Sequence, residues 1–288
     1  MDFPRSPSEF RRLLQARGLR PNKALGQCFL VDPAFLDAIV RGMGITNRDE
    51  VIEFGTGAGH LTSRLCDAAA RVWSFEVDPP VCELAKELLR PRANLRLFCA
   101  DAAEFEALAR PDPAYRLLIV SNLPYSDYER LMIRTLTTEM AVDACHFMIQ
   151  ADVYRRLRAG PGTAGYGPFG ALLQGIAQFR LLRKAGPGLF HPRPRVESVF
   201  FTLRRRPDGV VARRQIPAVY RVLRGLFAHR RKLLKAALHD LESNRGRLPE
   251  SVWKHGSKRV EALRPEALLE LATTLAARDS GAFSPIAP

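Results

Sequence analysis

Between Val51 and Leu203 the chain alternates short apolar runs with longer amphipathic ones, and no other feature limits its fold so tightly. Short apolar runs suit strands covered on both faces. Segments with apolar residues three or four apart suit the helices that cover them. The spacing predicts strands over 51–54, 72–76, 95–99, 117–121, 146–150, 179–184 and 199–203, and helices over 33–43, 60–69, 80–89, 128–137, 151–158 and 169–177. The expected fold is α/β, a seven-stranded, mostly parallel sheet with helices on both faces. After Leu203 the character changes: 204–209 reads as a linker, 216–239 and 265–277 show helical spacing, and strand signals stop. Two domains are expected, a sheet domain over 1–205 with a basic N-terminal extension and a small, basic helical domain over 206–288.

The net charge of +14 is unevenly placed. Residues 1–27 hold six Lys/Arg against two Asp/Glu, residues 28–203 twenty of each, and residues 204–288 eighteen against eight. Cations gathered at both ends of a neutral middle point to a polyanion, because clustered Lys/Arg gain affinity by releasing counterions from phosphates. A merely solvated surface is the plain alternative. The densest cluster is Arg230-Arg231-Lys232 with Lys235. There is no apolar run of membrane-spanning length and no apolar leader after Met1, so a cytoplasmic protein without a membrane partner is expected. Five scattered cysteines without C-x-x-C pairs read as free thiols in a reducing compartment. The six histidines show no ligand spacing, so no metal site is expected.

Three features point to chemistry. The loop Glu53-Phe54-Gly55-Thr56-Gly57-Ala58-Gly59 follows the first strand, where glycines let backbone approach a ligand and turn tightly into a helix. A dinucleotide fold would place a third glycine where His60 stands, so the pattern fits S-adenosylmethionine better, which has no pyrophosphate to seat. Glu76 ends the second strand, where a carboxylate can bind ribose hydroxyls, and Asp101 follows the third, placed to accept from an adenine amino group. Asn122-Leu123-Pro124-Tyr125 closes the fourth strand. The Asn oxygen and the carbonyl before Pro124 can each accept from an exocyclic amine, and Tyr125 offers a stacking face. Taken alone, this tetrapeptide is also compatible with an ordinary turn.

These elements, in this order, resemble the ribosomal-RNA adenine N6-dimethyltransferases. The resemblance runs through Leu25-Gly26-Gln27-Cys28-Phe29-Leu30, the glycine loop, Glu76-Val77-Asp78, Asp101, Asn122 to Tyr125, Phe190-x-Pro192-x-Pro194-x-Val196-x-Ser198 and Phe227-x-x-Arg230-Arg231-Lys232. The last element and the segment from Arg264-Pro265-Glu266 look more like the KsgA group, which modifies small-subunit (16S) RNA, than the Erm group, which modifies large-subunit RNA. The resemblance implies a Rossmann-like class I methyltransferase fold acting on immature small ribosomal subunits during their assembly, as a monomer. It implies that Cys28, Leu30, Gly55, Gly57, Glu76, Asp101 and Asn122 touch S-adenosylmethionine. Asn122 and Pro124 would grip the target amine, Tyr125 and Phe190 would sandwich the base, and Arg230, Arg231, Lys232 and Lys235 would hold RNA. Two departures stand out: Cys28 occupies a place where the family usually has Asn, and Ser126-Asp127-Tyr128 replaces its usual stretch after the tyrosine. They keep open a non-catalytic assembly or transcription factor that retains the fold, beside an Erm-like enzyme.

Overall fold

The computed structural model describes residues 3–124, 127–207, 211–245 and 248–277. In chain order its strands are β1 (Phe29–Leu30), β2 (Asp49–Phe54), β3 (Arg71–Phe75), β4 (Leu95–Phe98), β5 (Arg116–Asn122), β6 (Val142–Gln150), β7 (Ala177–Ala185), β8 (Phe190–His191) and β9 (Ser198–Arg205). Seven of them form one sheet, the number expected from the sequence, and their order is β4-β3-β2-β5-β6-β9-β7. The first five of that order run parallel, and β9 is antiparallel to β6. The centre is β2 and β5, whose Val51, Ile52, Leu118, Ile119 and Val120 are essentially inaccessible to water. Strands apolar along their whole length belong in such a doubly covered position. The two-residue strands β1 and β8 pair only with each other, Phe29 opposite His191 and Leu30 opposite Phe190.

The chain divides into two compact units. The first holds residues 1–151 and 179–204, with helices α1 (Pro7–Ala16), α2 (Pro33–Met43), α3 (His60–Ala68), α4 (Pro79–Leu89), the short α5 (Phe105–Leu108) and α6 (Tyr128–Thr137). The basic extension is thus part of the sheet unit, and much of it is α1. Ser6 caps this helix by accepting from the Glu9 amide, with Pro7 at its first position. Its Phe10 is fully buried with its ring edge-on to Phe29 and His60, and the His60 ring faces the Pro4 carbonyl at 3.2 Å.

The second unit holds residues 152–178 and 205–288, so 152–178 groups with the C-terminal helices and not with the sheet domain over 1–205 in which the sequence placed it. It contains most of α7 (Ala151–Leu157), then α8 (Pro168–Ile176), α9 (Ile216–Ala228), α10 (Leu234–Arg245) and α11 (Pro265–Ala276). The cause is packing. α8 is apolar nearly all round, and Gly175 lets it approach α11 so closely that a Cβ there would stand 2.2 Å from Leu269 Cδ1. Tyr166, fully buried, donates its hydroxyl to the Leu263 carbonyl (3.0 Å). The helical spacing over 216–239 proves to be two helices. Between them the backbone leaves the helix to bond with 258–261: the Val260 amide donates to Lys232 O, Glu261 to Arg230 O, and Leu234 to Lys258 O.

The cysteine expectation also needs correction. Cys82 on α4 and Cys99 just after β4 form a disulfide with Cα atoms 5.9 Å apart, while Cys28, Cys66 and Cys145 are not disulfide-bonded. The pairing is invisible in a spacing of 17 residues, because parallel-strand crossover, not sequence proximity, brings α4 beside the end of β4. Among the described residues no helix is long and apolar enough to cross a membrane.

Candidate active site

The crevice follows from topology. From β2 the chain builds β3 and β4 on one side, then returns to build β5 and β6 on the other, so the loops after β2 and β5 part at adjacent strand tips. Ligands of open α/β sheets bind at this kind of switch point. Phe54 stands opposite Ser121, and the Ser121 hydroxyl donates to the Phe54 carbonyl at 2.8 Å. This bond ties the two tips together immediately before Gly55 and Asn122.

Gly55, Gly57 and Gly59 have φ of +80°, +55° and +87°. Side-chain-bearing residues avoid this left-handed region, which explains the alternating glycines. At Gly59 a Cβ would lie 2.8 Å from Leu89 Cγ and at Gly57 3.0 Å from the Phe29 ring, while at Gly55 the space is open. The Gly57 amide donates to Glu76 Oε2 (2.8 Å) and the Asp78 amide to Glu76 Oε1 (3.0 Å). Burial raises the Glu76 pKa, although these amides oppose it. Glu53 braces the loop from beneath. It is fully enclosed and accepts from the hydroxyls of Ser74 and Thr62, both at 2.6 Å. Burial outweighs those two bonds and pushes its pKa to about 7.

Asn122 donates from Nδ2 to the Cys28 carbonyl at 2.9 Å. With the amide nitrogen committed, Oδ1 is the acceptor this side chain offers. Leu123 is anchored by its amide to the Met148 carbonyl (3.1 Å), which fixes the peptide leading into Pro124. Cys28 donates its thiol to Pro192 O (3.2 Å), across from the β1–β8 ladder. Two adjoining hollows of about 130 and about 330 Å³ occupy the crevice. Cys28, Leu30, Gly57 and Asn122 line the first, Asp101 the second, and Gly55, Glu76 and Pro124 both. Seven expected cofactor contacts are thereby gathered around one crevice. Tyr125 lies outside the described residues.

Comparison with known proteins decides the family. The model of the ribosomal RNA adenine dimethylases matches residues 18–277. The chain belongs to this family. It is 34% identical over 263 residues to the ribosomal RNA small subunit methyltransferase A of Rubrobacter xylanophilus, covering 90% of this chain and 96% of that one. With the protein of the same description from Alkaliphilus metalliredigens it shares 30% over 286 residues, 96% of this chain and all of the other. In fold it is similar to a dimethyladenosine transferase from Plasmodium falciparum, with a TM-score of 0.70 at 20% identity over 86% of this chain and 97% of that one.

Within this family member, Phe190 is placed differently from the expectation that it sandwiches a base. Its side chain is 2% exposed and belongs to the core with Leu30, Met148 and Phe200, so no open ring face meets the crevice. Asp101 Oδ1 accepts from the Ala103 amide at 2.8 Å, and Arg130 reaches both its carboxylate oxygens at 3.1 and 3.2 Å. Burial alone would raise the Asp101 pKa, but Ala103 and Arg130 outweigh it and hold the carboxyl below its ordinary value. Arg130 also donates from Nε to Asp127 Oδ1 (2.8 Å), so the unfamiliar Asp127 carries no unpaired charge. In the second unit, Arg230 binds Glu261 (2.7 Å) and the carbonyls of Thr163 and Ala164, whereas Arg231, Lys232 and Lys235 are exposed.

Three residues near the crevice had received no role from the sequence. Gln27 accepts from the Asn22 amide (2.7 Å) and donates to Asp78 (2.6 Å), clamping the segment before β1 onto the turn after β3. Val77, half exposed between Glu76 and Asp78, presents an apolar surface to both hollows. Its signal was there: an apolar residue continuing past a strand end into acidic company. Arg130 stands three residues after Asp127 on α6, a spacing that pairs side chains on one helix face.

Proposed function

We propose that this protein transfers methyl groups from S-adenosylmethionine to the N6 amine of adenosine in small-subunit ribosomal RNA, in the cytoplasm, during subunit assembly. The observation that carries the reading is Asn122: its amide is oriented by the Cys28 carbonyl, at the strand tip adjoining the glycine loop. The residues fit the methyl donor as a nucleoside. Glu76 offers acceptors for ribose hydroxyls, Asp101 for the adenine amine and Val77 an apolar face for its ring, while open space at Gly55 admits the ligand against backbone. When bound, S-adenosylmethionine supplies an electrophilic methyl on a sulfonium for in-line displacement.

The chain's own residues prepare the acceptor. The N6 lone pair is delocalised into the purine ring and poorly nucleophilic. Asn122 Oδ1 and the Leu123 carbonyl accept its two N–H groups and favour a pyramidal nitrogen with its lone pair turned toward the methyl. Orientation and proximity then carry most of the rate. The ammonium product is acidic enough to release its proton to solvent. The target base must be unpaired or flipped, at a cost of a few kcal/mol. Tyr125 is the stacking partner in this scheme, and Phe190 supports the site from the core. Arg231, Lys232 and Lys235 on the second unit supply phosphate contacts, with Arg230 shaping the turn that presents them. The protein acts as a monomer.

Labelled methyl donor and undermodified small-subunit particles test the reading. Wild-type protein should label adenosine, and Asn122→Ala should lower transfer by orders of magnitude while still binding the donor. Near-normal turnover by Asn122→Ala would overturn the assignment of the amine grip.

A further inference from the structure

The neutral middle of the sequence is not neutral once divided by structure. Residues 28–176 hold fifteen Lys/Arg against nineteen Asp/Glu, whereas 177–203 hold five against one. Those five are Arg180, Arg183 and Lys184 on β7, and Arg193 and Arg195 between β8 and β9. All five are exposed, and β7 is an edge strand of the sheet.

Ion pairing engages part of the sheet unit's arginines and leaves this group out. Arg64, Arg71, Arg92, Arg116, Arg130 and Arg134 each lie within ion-pair distance of a carboxylate. Among the described residues, Arg180, Arg183, Lys184, Arg193 and Arg195 have no such partner, and Arg180 reaches only the Gly42 carbonyl, at 3.4 Å. The charge of Arg180 is felt in the core as well: burial first, then Arg204, Arg116 and Arg180, lower the His146 pKa to about 4. Connectivity links the group to the crevice. After Ala185 the chain makes one 3-10 turn (Pro187–Leu189), whose Leu189 carbonyl accepts from Val31, and then enters β8, which pairs with β1 beside Cys28. Arg193 follows directly on Pro192, the residue that accepts the Cys28 thiol.

We propose that Arg180, Arg183, Lys184, Arg193 and Arg195 form a phosphate-binding surface on the sheet unit itself, which holds the RNA backbone flanking the target adenosine. Unpaired, solvated cations on one strand and the connection after it are what a polyanion rewards. Each gains by counterion release, and none must first break an internal ion pair. The surface is separate from Arg231, Lys232 and Lys235, which belong to the other unit. The proposal rests on RNA being the substrate. A competing explanation is that these cations only guard an open strand edge against pairing with another chain.

Charge reversal tells the two apart, because glutamate guards an edge as well as arginine does but repels phosphate. The test compares wild type with Arg180→Glu/Arg183→Glu/Lys184→Glu and with the loop pair Arg193→Glu/Arg195→Glu. Binding to undermodified small-subunit RNA is measured across a salt series, methyl-donor affinity alongside, and label transfer by the wild type establishes the substrate. The expected result is a salt slope shallower by about 2 for the triple variant and about 1.4 for the pair, at roughly 0.7 per single-strand phosphate contact, with KM for RNA raised and donor affinity unchanged. Unchanged slopes in both variants, with wild type still methylating RNA, overturn the surface. If wild type labels no RNA, it is the functional reading that fails. Should the triple variant fail to fold, the loop pair decides.

Discussion

A carboxyl group sealed from water is costly to ionise, and Glu53 is such a group, sealed beneath the glycine loop. Its pKa in the folded protein, about 7, lies above its ordinary value of 4.5. The folded state therefore holds the proton more tightly than the unfolded chain, and ν_U − ν_N is negative between those values. This contribution to stability is complete below the lower value and lost as pH rises through the upper one, by about 3 kcal/mol in all. Glu53→Gln should flatten that part of the pH profile while keeping an acceptor for Ser74 or Thr62. Denaturant unfolding at about pH 5 and about pH 8 checks it: a wild-type decline matched in full by the variant would assign the titration elsewhere. Phe190 carries a second prediction at this scale. Because it is packed in the core, Phe190→Ala should cost about 3–5 kcal/mol of stability. Full stability with impaired RNA turnover would instead mean that its ring faces the base.

At the scale of elements, α8 depends on a missing side chain. Gly175→Ala should destabilise the protein by about 1–3 kcal/mol, since Leu269 is fully buried and its methyl stands where the new Cβ must go. A Leu269→Ala background should remove most of that penalty, and additive costs in a double-mutant cycle would contradict the contact. The sheet strands were legible because each is a burial pattern with fixed period. Apolar runs such as Leu117-Leu118-Ile119-Val120 can serve few other purposes. What escaped depends on partners distant in sequence. The helix α8 has the same apolar character whichever unit buries it, so its place with α9 and α11 could not be read from its own residues. The break after Ala228 is made by backbone bonds to 258–261, and the Cys82–Cys99 pair by a crossover. The α1 helix was missed, although Ser6-Pro7-Ser8-Glu9 is a start signal. At the site, Gly55, Glu76, Asp101 and Asn122 were legible as strand-end residues. The clamp of Gln27 and the Asp101–Arg130–Asp127 bridge require contacts that spacing does not fix.

For the molecule as a whole, charge is distributed by use. Arg230 stands in the basic cluster of the second unit, yet its guanidinium is spent on Glu261, Thr163 and Ala164. Arg230→Ala should therefore lower the thermal midpoint. Replacing Arg231, Lys232 and Lys235 with Ala should leave the midpoint near wild type and reduce the salt slope of RNA binding by about 2. The reverse pattern would exchange their roles. The central claim, that the crevice at the tips of β2 and β5 methylates adenosine N6 in small-subunit RNA, meets its most direct test in mass-spectrometric mapping. Undermodified small subunits would be incubated with wild-type protein and S-adenosylmethionine, and their RNA digested and sequenced. The account predicts N6,N6-dimethyladenosine in the small-subunit RNA. Methylation at another atom, in large-subunit RNA alone, or nowhere would contradict it.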